Sequence, residues 1–63
     1  MDINKAIQIC HKNRVYVYPI KKLGKWYIHR EYNGKDFTYE KPIDVKDQSK
    51  AMSATYINLA NKL

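Results

Sequence analysis

The adjacent pair Cys10-His11 sets a potential nucleophile beside a potential base. Nucleophilic catalysis needs the thiol and imidazole within hydrogen-bond reach, with a third group orienting the base. Residues 2–12 carry a helical pattern, and helix neighbours point about 100° apart, so the two side chains do not face each other. Cys10 therefore reads as a small core hydrophobe and His11 as a cation at the negative end of the helix. The carboxylates Glu31, Asp36 and Glu40 flank a hairpin, where cross-strand pairing with lysine accounts for them. Gly24 and Gly34 sit singly in turns and cannot form a loop that cradles phosphate. Structural zinc takes four ligands as a rule, and the only soft candidates are Cys10, His11 and His29. The expectation is a protein that is not an enzyme, with no catalytic residue, no metal and no cofactor. A single cysteine also excludes an intramolecular disulfide and fits a reducing compartment.

Binding is better supported than catalysis, because the charge is unevenly placed. The chain has 12 Lys/Arg against 6 Asp/Glu, a net +6. The stretch from Lys12 to Lys35 contains seven basic residues and one acid, Glu31, and so holds the whole excess; the rest balances, five against five. A concentrated basic field attracts polyanions and steers their approach. Tyr16, Tyr18 and Tyr27 lie in the same stretch. Tyrosines on an open sheet face can stack on unpaired bases or anchor a protein interface, or can reflect β-propensity alone. The candidate binding residues are Arg14, Tyr16, Tyr18, Lys21, Lys22, Lys25, Tyr27, Arg30 and Lys35.

The elements that must position these residues follow from periodicity. Asp2 can cap a helix over residues 2–12, and Ile3, Ala6, Ile7 and Cys10 recur at the spacing of one helical face. Val15-Tyr16-Val17-Tyr18 is β-branched and aromatic and predicts a strand over 14–20, with Pro19 suited to an edge and a turn at 21–24. Residues 25–32 form a second strand. Asn33-Gly34 is the strongest short hairpin signal, since a type I′ turn needs positive φ at both positions. A third strand over 35–41 ends at Pro42. A second helix runs from about 47 to 63, capped by Asp44 or Asp47, with Met52, Tyr56, Leu59 and Leu63 on one stripe and Ala60 widening it. Ile9 and Ile57 fall off their stripes and offer a second contact surface or simply isolated apolar positions.

The fold class is thus α+β: helix, three-stranded antiparallel meander, helix (αβββα), with both helices on one face of the sheet, in a single small domain over 1–63. Alternation puts Val15, Val17, Trp26, Ile28, Phe37 and Tyr39 beneath the helices. Tyr16, Tyr18, Tyr27, His29, Glu31, Thr38 and Glu40 then fall on the other, wet face. A domain of this length buries only about 60% of its unfolded surface, so support from a partner or a homodimer is compatible with its thin core. No apolar run approaches the ~20 residues of a membrane span, and the N-terminus lacks a signal-peptide layout, so the expected location is cytoplasmic with no membrane partner.

Two resemblances bear on function. The stretch Gly24-Lys25-Trp26-Tyr27-Ile28 through Asn33-Gly34-Lys35 resembles the arm-type DNA-binding domains of phage and transposon integrases. Taken whole, with Lys25-Trp26-Tyr27-Ile28, Tyr39-Glu40-Lys41 and the ending Thr55-Tyr56-Ile57-Asn58-Leu59-Ala60-Asn61-Lys62-Leu63, the chain resembles small stand-alone phage proteins. That class includes anti-defence and anti-CRISPR proteins. The second resemblance implies an inhibitor of a CRISPR nuclease effector, such as a type VI RNA-targeting one, acting in the cytoplasm of an infected or lysogenic bacterial host. Its partner would be the effector protein, with or without its guide RNA. A DNA-mimicking inhibitor needs an acidic surface, the opposite of this one. The alternative is a sequence-tolerant DNA- or RNA-binding accessory protein of a phage or mobile element.

Overall fold

A computed structural model describes all 63 residues. Helix α1 (Ile3–Lys12) leads into strands β1 (Val15–Lys22), β2 (Lys25–Tyr32) and β3 (Lys35–Thr38). A short 3₁₀ turn, Val45–Asp47, then opens helix α2 (Gln48–Lys62). The strands form one antiparallel sheet in the order β1-β2-β3, the αβββα arrangement expected from the sequence. No helix is long and apolar enough to cross a membrane.

Local chemistry sets most of the boundaries. Asp2 caps α1, its carboxylate accepting the Lys5 N–H at 2.9 Å. At the other end the Asn13 amide donates to Ile9 O at 2.8 Å, and Arg14 takes a φ of 61° to turn the chain into β1. Asn33 and Gly34, at φ 52° and 84°, make the expected two-residue turn.

Three boundaries differ from expectation. β1 continues to Lys22, because Leu23 and Gly24 form a second two-residue turn at φ 53° and 79°. A left-handed leucine is unfavourable, and its residue type gives no hint of that conformation. β3 ends at Thr38 rather than at residue 41. Tyr39 still donates to Ile28 O, the chain then bulges through Glu40, Lys41 and Pro42, and Ile43 rejoins β2 by donating to Trp26 O at 2.8 Å. Pro42 has no N–H for the ladder and sits in the bulge. Neither Asp44 nor Asp47 makes a capping hydrogen bond to α2; the 3₁₀ turn starts the helix instead.

The core consists of Ala6 and Cys10 from α1, Val15 and Val17 from β1, Ile28 from β2, and Tyr56 and Ala60 from α2. The six residues expected on the inner face do share the helix side of the sheet, but the helices cover only half of them fully. Val15, Val17 and Ile28 are buried, Trp26 and Tyr39 are partly buried, and Phe37 is exposed. The cause lies in the connection. Two residues link α1 to β1, so α1 must lie against that strand. The small side chains of Ala6, Cys10 and Ala60 let α2 close on α1 there. The pair covers β1 and part of β2 and leaves the β3 side open. Of the α2 stripe, Tyr56 and Ala60 are buried, Met52 and Leu59 partly so, and Leu63 is exposed. Ile9 and Ile57 pack against the core rather than forming a surface of their own.

Tyr56 also closes one side of the sheet. Its hydroxyl accepts the Val17 N–H and donates to the Val17 C=O, both at 3.0 Å, on the side of β1 away from β2. His11 Nε2 lies 3.2 Å from the same oxygen. A hydroxyl has one proton, committed here to the Val17 carbonyl, so His11 donates through Nε2–H. Two residues along, Pro19 faces the same way and has no N–H to offer.

Candidate functional site

The register sorts the candidate residues by face, since cross-strand partners share one. Tyr16 pairs with Glu31, Tyr18 with His29, Ile20 with Tyr27 and Lys22 with Lys25; Thr38 and Asp36 extend the rows across β3. These residues form the face away from the helices. Tyr16 and Tyr18 are 39% and 40% exposed, and Tyr27, His29 and Glu31 are partly buried. The tyrosines thus point outward, as expected.

The rings are held rather than loose. Tyr16 lies 5.1 Å from the His11 ring, which ties the face to the end of α1 and to Tyr56. Tyr18 lies 5.0 Å from the His29 ring. His29 Nδ1 meets Thr38 Oγ1 at 2.7 Å, and its Nε2 is 3.6 Å from Asp36 Oδ1. Desolvation, then the charges of Glu31 and Asp36, hold the Tyr18 phenol above its ordinary pKa. Tyr18 therefore stays a neutral hydrogen-bonding group well into the alkaline range.

The basic residues do not surround these rings. Lys22 and Lys25 face each other at the β1–β2 turn, on the tyrosine face. Lys21 is beside them in sequence but pairs with Trp26 on the helix side, its Nζ 6.0 Å from the indole centroid. Between them Leu23 stands 94% exposed at the tip. Arg14 is alone at the α1–β1 junction. Arg30 and Lys35 fall on the helix side, opposite Val17 and Phe37 in one row and Tyr32 in the next. The nine candidates thus divide among the tyrosine face, the tip of the first hairpin, the helix junction and the helix side of β2–β3. The tyrosine face is bipolar, with lysines at one end and Glu31 and Asp36 at the other.

Sequence reasoning missed two groupings. One is the His11, His29, Thr38 and Asp36 set that braces the tyrosines. The other is Arg30 lying over Phe37 and Tyr39, 4.9 and 5.6 Å from their centroids. The second was recoverable: the Asn33-Gly34 turn sets Tyr32 opposite Lys35, so Arg30 must face Phe37. The first required knowing how α1 leans over the sheet.

Elsewhere the structure offers little chemistry. Cys10 is buried, its thiol raised in pKa by desolvation and donating to Tyr56 O at 3.5 Å. No three His, Cys, Asp or Glu side chains are grouped to hold a metal. Neither a protein-family model, nor a curated protein, nor a solved structure matches this chain.

Proposed function

We propose that this chain acts by binding, as a small phage-type inhibitor that occupies a surface of a CRISPR nuclease effector through its tyrosine face. The observation that carries the reading is the pair Tyr16 and Tyr18, half exposed on an open sheet face and braced by His11 and His29. Tyrosine offers a large contact area with little rotamer entropy to lose, and bracing lowers that cost further. The bipolar charge of the face favours a protein surface of mixed sign over a phosphate backbone, because Glu31 and Asp36 would repel phosphates at one end. Lys21, Lys22 and Lys25, at the tip of the β1–β2 hairpin beyond the rings, are then available for guide RNA.

The reading predicts co-purification with a nuclease effector, tested with and without its guide RNA. Replacing Tyr16 and Tyr18 together by Ala should weaken capture at least about 30-fold, as loss of a central aromatic anchor does. Retention of full affinity by the double variant, or no capture by any effector, would remove the proposal. The exposed Lys21, Lys22 and Lys25 also keep the accessory nucleic-acid reading open to test. In a gel shift at two salt concentrations, binding to bare duplex that persists at physiological salt would favour it.

A further inference from the structure

The helix side of the sheet carries a second, separate site. Because the helices cover β1 and stop short of β3, a cleft of about 340 Å³ remains between the last turn of α2 and the β2–β3 hairpin. Arg30, Tyr32, Lys35 and Phe37 line one wall, and Leu59 and Lys62 the other. We infer that this cleft binds single-stranded nucleic acid by taking up one unpaired nucleotide, its base against Tyr32 and Phe37 and its phosphates against Arg30, Lys35 and Lys62. This does not rest on the tyrosine face, which lies on the opposite side of the sheet.

Three observations carry the inference. First, Phe37 and Tyr32 are 47% and 48% exposed, although both lie on the side that holds the core. Burying an aromatic ring is strongly favourable, so leaving two open on the core side of a thin domain is costly unless something covers them. Second, Phe37 is held edge-on to Tyr39 at 5.3 Å, with the Arg30 guanidinium over both. The guanidinium covers one face of the ring, and a base can stack on the ring's remaining exposed surface or on the guanidinium plane. Third, the charge is one-sided. No carboxylate lies within 4 Å of Arg30, Lys35 or Lys62. Asp36 borders the cleft, but its side chain belongs to the opposite face of the sheet, where its carboxylate lies 3.6 Å from His29 Nε2. The negative end of α2 abuts the cleft, and Lys62 in its last turn offsets it.

The occupant follows from this combination. A fatty chain could lie on Val15, Leu59 and Leu63 but would leave the cations Arg30, Lys35 and Lys62 unmatched along most of its length. A second copy would bring three cations against three. A duplex hides its bases and would meet only the charges. A flexible strand with an unstacked base and flanking phosphates satisfies both the rings and the cations.

The test is an NMR titration of the ¹⁵N-labelled full chain with hexathymidylate at low ionic strength. Amide shifts should cluster at Tyr32, Lys35, Phe37 and Lys62. Phe37→Ala should weaken binding at least about fivefold, the lower end for loss of a stacking ring. Lys35→Gln with Lys62→Gln leaves the rings untouched and should make the log–log salt slope shallower by about 1.4, or 0.7 for each phosphate no longer neutralised. Phe37 is half exposed, and circular dichroism checks that its variant keeps its fold; the lysine variant serves if it does not. Absence of binding, shifts confined to Tyr16 and Tyr18 or to the lysines of the first hairpin, or equal affinity of oligoglutamate would overturn the inference. Effector capture by Phe37→Ala, set beside that by the Tyr16 and Tyr18 variant, separates failure of this site from failure of the tyrosine face.

Discussion

Removing one oxygen atom should cost this protein a large share of its stability. In Tyr56→Phe the ring stays in the core, but the Val17 N–H and C=O lose their partner, each now at 3.0 Å, and the His11 Nε2–H loses its acceptor. A buried neutral hydrogen bond contributes about 1 kcal/mol net, and each unsatisfied buried group costs about 1–3 kcal/mol when no water reaches it. Val17 is buried, so water has poor access to the backbone groups that the substitution frees. Partial relaxation of the strand offsets some of the cost, so we expect a loss of about 2–3 kcal/mol. A domain of this length has roughly 3–9 kcal/mol in all, and the loss lowers Tm by about 10–20 °C. Urea unfolding followed by Trp26 fluorescence and far-UV circular dichroism measures the change. Tyr16→Phe is the control, since the Tyr16 hydroxyl has no partner in the fold, and it should change stability by less than about 0.5 kcal/mol. If Tyr56→Phe is as harmless as that control while keeping a native spectrum, the closure of the β1 side by this hydroxyl is wrong.

Other outcomes follow from the same geometry. Leu23→Asn should raise stability by about 0.5–1 kcal/mol, since asparagine tolerates the left-handed conformation that leucine adopts at a cost; a lower melting temperature would count against it. The Cys10 thiol should react with a disulfide reagent only as the protein opens. A native-state rate equal to that of a free peptide would contradict its burial. Tyr18 should ionise above the ordinary tyrosine value of about 10, read at 295 nm as the difference from Tyr18→Phe, and Asp36→Asn should move its midpoint back down. Because the folded pKa is the higher one, Tyr18 supports the fold below the ordinary value. That support is lost as pH rises from there through the folded pKa, and an unfolding free energy that stayed flat across this window would argue against the shift.

The architecture is largely legible in the sequence because local signals agree with one another. Asp2 caps, Asn33-Gly34 turns, and the alternation from Val15 to Tyr18 sorts a strand into faces, each on information within a few residues. What fails is longer in range. Nothing about Leu23 announces positive φ, so residue types alone make the first hairpin turn too wide. Phe37 has the apolar character and the parity of a core residue, but burial depends on where two helices land, and the short Asn13-Arg14 link decides that. The cationic stretch looks like one patch because its residues are close in sequence. A sheet with a period of two sends Lys22 and Lys25 to one side and Arg30 and Lys35 to the other. The outward tyrosines are legible; the histidines that brace them depend on side chains 45 and 9 residues away, Tyr56 and Thr38.

The two margins of the sheet are unequal, and this limits how copies can associate. Along β1, Tyr56 occupies the backbone groups of Val17 and Pro19 has no donor, so an incoming strand finds no continuous ladder to join. β3 is four residues long and is the edge strand, paired only with β2. Growth into a fibril needs two receptive margins on every molecule, one to extend from and one to extend to. With a single receptive margin, strand addition stops at an isologous pair joined β3 to β3, and the chain resists polymerisation even when crowded.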